Sequence, residues 1–92
     1  FFAPFHIANG RLYIHNAFVF VKRIIPLNNI KRIEVKYIRS VKLNGARYHV
    51  FIEQKNRKTL SFFCGKSKQN DLLVKNLKNE TKNYHIRIVS DG

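Results

Sequence analysis

The chain has 92 residues, which is enough for one small domain and too few for two domains around a large catalytic cleft. Its 18 Lys and Arg against 5 Asp and Glu give a net charge of +13, so the expected partners are polyanions: nucleic acid, anionic lipid headgroups or acidic protein. No apolar stretch approaches the roughly 20 residues that cross a bilayer, and the single Cys excludes an internal disulfide.

The chain opens on Phe1 and contains no Met, so we interpret it as a piece of a longer protein. The aromatic lead Phe1–Phe5 has two interpretations: it is the end of an upstream membrane helix, or it is the first edge strand. The absence of a disulfide favours a cytoplasmic setting. Under the first interpretation of the aromatic lead, a missing N-terminal segment tethers the domain to the cytoplasmic side of the membrane.

Apolar and polar residues alternate with a period of two over the first two thirds of the chain, which predicts a mainly β structure. Asn9-Gly10 favours a tight hairpin turn, because both residues tolerate a positive φ. Pro26 ends a strand, because it has no amide hydrogen to donate to a ladder. The predicted strands cover residues 5–8, 11–15, 18–25, 30–38, 47–54 and 59–64.

After Ser67 the apolar period changes to 3.6, which predicts an amphipathic helix over residues 68–82. Ser67 or Asn70 is expected to cap its first turn. A last strand over residues 85–89 is a further expectation. The fold class is therefore α+β, mainly β, in one domain over residues 1–92, as a strongly bent antiparallel sheet or partial barrel with one helix near the C-terminus. The predicted core consists of Ile33, Val35, Val50, Ile52, Leu60, Phe62, Leu73 and Leu77.

The residues that carry catalytic or metal chemistry are dispersed along the chain. The five acids form no close pair that would serve as general acid and base, so we expect a protein that is not an enzyme. The four histidines, His6, His15, His49 and His85, lack zinc-ligand spacing and are expected to be half-buried strand residues. Cys64 is expected to be a buried apolar side chain. We therefore predict no metal site, no cofactor and no catalytic residue.

The positive charge concentrates on predicted turns and on the outer faces of strands, where short hairpins can hold several cations against one anion. A solvated basic surface without a ligand is the alternative interpretation. The candidate anion- or lipid-binding residues are Lys22, Arg23, Arg39, Lys42, Arg47, Lys55, Arg57 and Lys58.

Exposed aromatic residues among these cations would favour nucleic acid, because bases stack on such rings. Tyr13 and Phe51 are the candidates for stacking, and Phe51 interrupts an otherwise polar strand face. Tyr37 and Tyr48 alternate in phase with apolar residues and are expected in the core.

Two motifs and the order of elements carry a family resemblance. The motifs are N-G-R-L-Y-I at residues 9–14 and I-P-L-N-N-I-K-R-I-E-V at residues 25–35, and they are followed by a strand that ends at Gly65 and by the helix. Over roughly residues 5–82 the chain resembles bacterial pleckstrin-homology-like domains. The resemblance implies a bent sheet closed at one end by a helix, and it implies frequent fusion to transmembrane helices.

The leading functional expectation is a non-enzymatic binding or assembly module at the cytoplasmic membrane face, whose basic rim contacts anionic lipid headgroups or a membrane protein. One alternative is a small basic β-barrel that binds RNA or single-stranded DNA through the same cations. Another is a protein-interaction domain whose charge serves only solubility. An exposed strand edge is a possible route to a homo-oligomer.

Overall fold

The computed structural model describes residues 4–15, 23–40 and 45–91, and within these ranges the chain forms two sheets and one α-helix. The predicted fold class is confirmed as mainly β with one helix near the C-terminus, and the described strands form two separate sheets and not a closed barrel. The elements are β1 (Phe5–Ala8), β2 (Arg11–Ile14), β3 (Arg23–Pro26), β4 (Ile30–Ser40), β5 (Gly45–Gln54), β6 (Thr59–Gly65), α1 (Lys68–Glu80) and β7 (Arg87–Asp91).

Strands β1, β2 and β3 form an antiparallel sheet in that order, which we call the short sheet. The turn between β1 and β2 is the predicted one, with Asn9 at φ 53° and Gly10 at φ 73°. A Cβ atom at Gly10 would lie 3.2 Å from the hydroxyl of Tyr84, so packing as well as backbone conformation favours glycine there. Of the strand predicted over residues 18–25, β3 occupies the end, and residues 18–22 lie outside the described ranges.

The other sheet has the order β6-β5-β4-β7, and we call it the long sheet. Strand β7 runs parallel to β4, from Arg32 opposite Arg87 to Lys36 opposite Asp91. The last strand, expected over residues 85–89, covers Arg87–Asp91 and lies at one edge of the long sheet. The 13 residues of α1 span about 20 Å, which is enough to return the chain past three strand spacings of about 4.8 Å each.

The core lies between the inner faces of the two sheets and includes one side of α1. Six of the eight predicted core residues are buried, while Leu60 and Leu73 are partly buried and pack against the others. In the described part of the chain the buried residues are Phe5, Leu12, Ile14, Ile25, Leu27, Ile30, Ile33, Val35, Val50, Ile52, Phe62, Cys64, Leu77 and Thr81.

Tyr37 departs from the expected burial. It has the phase of the inner face of β4, yet it is 39% exposed. The described strands of the short sheet have four residues each and β4 has 11, so these strands leave part of the inner face of β4 uncovered. Tyr48, opposite Tyr37 in the register, is half-buried and packs against the core as predicted.

The start of α1 is held by side chains of its own first turn and of the long sheet. Ser67 is the N-cap, and its hydroxyl oxygen accepts a hydrogen bond from the amide of Asn70 at 3.1 Å. Asp71 accepts hydrogen bonds from the hydroxyl of Tyr48 and from the ammonium of Lys66. Leu77 is the fully buried residue of the helix, and Leu72 is 58% exposed on its other side.

Candidate functional site

The structure does not gather the predicted anion-binding residues into one site. Arg39 and Arg47 lie at the end of the long sheet where β4 leads into β5, and Arg39 is exposed while Arg47 is half-buried. Arg23 is exposed on β3 of the short sheet. Lys22 and Lys42 lie outside the described residues.

The remaining three predicted cations, Lys55, Arg57 and Lys58, form the tip of the β5–β6 hairpin, and all three are exposed. The amide of Lys55 donates to the carbonyl of Asn29 at 2.8 Å, which places the tip beside the beginning of β4. Eight residues of extended chain separate Arg47 from Lys55, or roughly 26 Å. The two cationic groups therefore occupy opposite ends of the long sheet, too far apart for one small anion.

Between these ends, the solvent-facing side of the long sheet carries three aromatic rings in contact. The ring centroid of His49 lies 4.0 Å from that of Phe51 and 4.1 Å from that of Phe63. We call these three residues the aromatic row. Phe63 is 53% exposed, and the other two are half-buried. The row forms because strand alternation points residues 49, 51 and 63 away from the core, and because the register places Phe63 opposite His49.

Two cations flank the aromatic row, and we call them the basic flank. The Nζ of Lys36 lies 5.3 Å from the ring centroid of Phe51, and the Cζ of Arg47 lies 4.7 Å from that of Phe63. Among the described residues neither cation forms a salt bridge, and the Nε of Arg47 is buried without a hydrogen-bond partner. Lys36 is exposed and Arg47 is half-buried, and both lie beside the rings of the row.

His49 is kept neutral by its position in the aromatic row. Burial lowers the pKa of its imidazole first, and the nearby charges of Lys36 and Arg47 lower it further. Its Nε2 is buried without a hydrogen-bond partner. At neutral pH the uncharged imidazole thus lies between the two phenylalanines, stacked on Phe63 and tilted against Phe51.

The other half of the same face carries both acidic and basic side chains. Phe51, Glu34, Arg32, Glu53 and Thr59 line a shallow depression at the end of the aromatic row. Arg32 lies 3.6 Å from Glu34, and the Nε of Arg32 is buried without a hydrogen-bond partner. Lys31 lies 3.8 Å from Glu53. The face therefore runs from a cationic end to an end with both charges.

The other predicted stacking residue, Tyr13, is on the outer face of the short sheet and does not belong to the aromatic row. Its ring stacks on that of His6 at 4.6 Å, and Nδ1 of His6 lies 2.8 Å from Nε2 of His15. His6, His15 and His49 are half-buried as expected. His85 is not: it is exposed in a left-handed turn before β7, with φ 55°, because the chain reverses there between two elements.

The described residues hold no group of three or more His, Cys, Asp or Glu side chains placed to bind a metal ion. Cys64 is buried as predicted, and burial raises the pKa of its thiol to about 11, so it is protonated at neutral pH and a poor nucleophile. No helix in residues 4–15, 23–40 and 45–91 has the length and apolar character of a membrane span.

Sequence reasoning identified Phe51 and Arg47 and missed Phe63 and Lys36. The available signal for Phe63 was its phase, because it alternates with the buried Phe62 and Cys64 and so had to face solvent. No local signal placed Lys36 beside Phe51, since that contact depends on the register between β4 and β5.

The chain matches no family model, no curated protein and no solved structure. The similarity to bacterial pleckstrin-homology-like domains therefore stays a prediction. The features of this chain that bear on its function are those of the long sheet described above.

Proposed function

We propose that this domain is a non-catalytic module that binds single-stranded nucleic acid on the outer face of the long sheet. The observation on which the proposal depends is the aromatic row between Lys36 and Arg47. An exposed ring on a sheet offers a base its flat surface, and adjacent cations offer the phosphates their charge. The net charge of +13 adds a long-range attraction to the same polyanion.

A single strand suits this face better than a duplex does. The bases of a duplex are stacked on each other, and their flat surfaces are closed to protein rings, whereas unpaired bases can turn outward and stack. The rings of Phe51 and Phe63 lie on adjacent strands of one rigid sheet and are joined through His49, so their positions are fixed before binding. A preformed surface lowers the entropy cost of association.

The direct test replaces each of the two phenylalanines of the aromatic row by alanine. The binding of a labelled single-stranded RNA is then measured by fluorescence anisotropy. Phe63→Ala and Phe51→Ala are each expected to lose about 1–3 kcal/mol of binding free energy, the contribution of one stack. Ile24→Ala is the matched control, because Ile24 is also 53% exposed and lies on the other sheet. Equal affinities for all four proteins would contradict the proposal.

A second candidate is binding to an anionic membrane surface through the hairpin tip. Three exposed cations lie together at this tip: Lys55, Arg57 and Lys58. Each Lys or Arg near an anionic bilayer contributes about 1 kcal/mol of binding free energy. Sedimentation with anionic and with neutral vesicles at physiological salt tests it: selective binding to the anionic vesicles is expected, and equal sedimentation with both would contradict it.

A further inference from the structure

The depression at the end of the aromatic row has polar groups that can form hydrogen bonds with the edge of a base. Two of its lining residues are carboxylates, Glu34 and Glu53, which repel phosphates. A nucleotide that stacks on Phe51 is therefore expected to place its phosphate toward Lys36 and its base edge toward the depression.

The register fixes how these groups surround such a base. Glu34 lies directly opposite Phe51, and Arg32 lies directly opposite Glu53, one step farther along the same face. Directly opposite side chains have Cβ atoms about 4.5–5.5 Å apart, and successive residues of one face lie about 6.7 Å apart along a strand. The Cβ atoms of these four residues therefore outline a rectangle of about 5 by 7 Å, comparable in size to one nucleobase, with Phe51 at one corner.

We propose that this depression recognises guanine in a single-stranded nucleic acid, an inference that rests on the proposed function of the same face. The carboxylate of Glu34 accepts hydrogen bonds from N1–H and the N2 amino group of the base, and the guanidinium of Arg32 donates to O6. Guanine is the base whose pairing edge has two adjacent donors beside an acceptor. Arginine and carboxylate side chains are the usual complements of these groups.

The other bases fit this arrangement less well. Adenine and cytosine each have one amino donor next to a ring nitrogen that accepts, and uracil has one N–H between two carbonyls. Each of them would place a lone pair against the carboxylate of Glu34. The Nη2 of Arg32 lies 3.6 Å from Oε1 of Glu34, an ion pair longer than a hydrogen bond. Both side chains therefore retain hydrogen-bonding capacity for a base.

The test uses the whole domain and labelled uridine oligomers of about eight nucleotides, a length within the site size of small single-strand-binding domains. One oligomer has a single central guanine, one has inosine at that position, and one has uridine throughout. The guanine oligomer is expected to bind about 5- to 150-fold more tightly than the uridine oligomer, the discrimination given by one bidentate contact. Inosine, which lacks the N2 amino group, is expected to lose part of that advantage.

Glu34→Gln is expected to abolish the preference for guanine while binding of the all-uridine oligomer stays equal or increases, since one repulsive charge is removed. Glu80→Gln makes the same change of charge on the exposed end of α1 and is the control. If all oligomers bind equally and Glu34→Gln changes nothing, the guanine inference is overturned and the proposed function survives. If no oligomer binds, both are overturned.

Discussion

At the scale of single residues, Asp71 joins the helix to the long sheet. Its carboxylate accepts from Tyr48 on β5 and from Lys66 just before the helix. These two hydrogen bonds lower the pKa of Asp71 below its ordinary value, and the bond from Lys66 has the larger effect. The contact with Asp71 is also the main reason that the pKa of Lys66 is raised.

We predict that Asp71→Asn makes stability less sensitive to acid. Because the folded-state pKa of Asp71 is depressed, its stabilisation is complete above the ordinary value of 3.8 and is lost as pH falls through the lower folded value. Urea unfolding of both proteins between about pH 6 and pH 2.5 measures this. The wild type is expected to be more stable at the upper end, and the difference is expected to shrink below pH 4. A difference that does not change with pH would contradict the ionic role of Asp71.

At the scale of elements, the alternation of apolar and polar residues predicted most of the strands. This pattern is local, because the face to which a side chain points depends only on its position within its own strand. The bounds of β1 were predicted without error, and the cap at Ser67 was among the two expected. What each strand pairs with depends on residues far apart in sequence. For that reason neither the parallel β4–β7 pair nor the exposure of Tyr37 was foreseen.

The helix offers a graded prediction from three leucines with different burial. Leu77 is 2% exposed, Leu73 is partly buried, and Leu72 is 58% exposed. Leu77→Ala is expected to cost about 2–5 kcal/mol of unfolding free energy, Leu73→Ala less, and Leu72→Ala within about 0.5 kcal/mol of zero. Urea denaturation at neutral pH gives all three values. Any other order would mean that α1 packs on a different side.

At the scale of the whole molecule, the sequence predicted which kinds of residue bind an anion. It did not predict which of them lie together on one surface. The sequence identified eight cations, and the fold separates those described into opposite ends of the long sheet and the edge strand of the short sheet. The aromatic row arises only after β4, β5 and β6 pair in their register. Composition can therefore predict affinity for polyanions, but the position of the binding site can be predicted only when the pairing of the strands is known.

The separation of the two cationic ends predicts that their functions separate. Lys36→Gln with Arg47→Gln is expected to weaken RNA binding and to reduce the slope of log K against log salt by about 1.4, or 0.7 per charge. Lys55→Ala, Arg57→Asn and Lys58→Ala together are expected to weaken vesicle binding by about 3 kcal/mol and to leave RNA binding nearly unchanged. Asparagine is chosen because Arg57 has φ 71°. If both variants lost the same affinity for RNA and for vesicles, only the total charge of the domain would matter, and the position of each cation would not.

The position of β7 bears on how the chain reaches its native state. Strand β4 begins at Ile30, and its parallel partner begins at Arg87, so this pair closes a loop of more than 50 residues and is expected to form late. Until then one edge of β4 has open amides and carbonyls that could pair with another chain. Lys31, Arg32 and Lys36 lie on that strand, and their repulsion of the same residues in a second copy is expected to oppose aggregation of the nascent sheet.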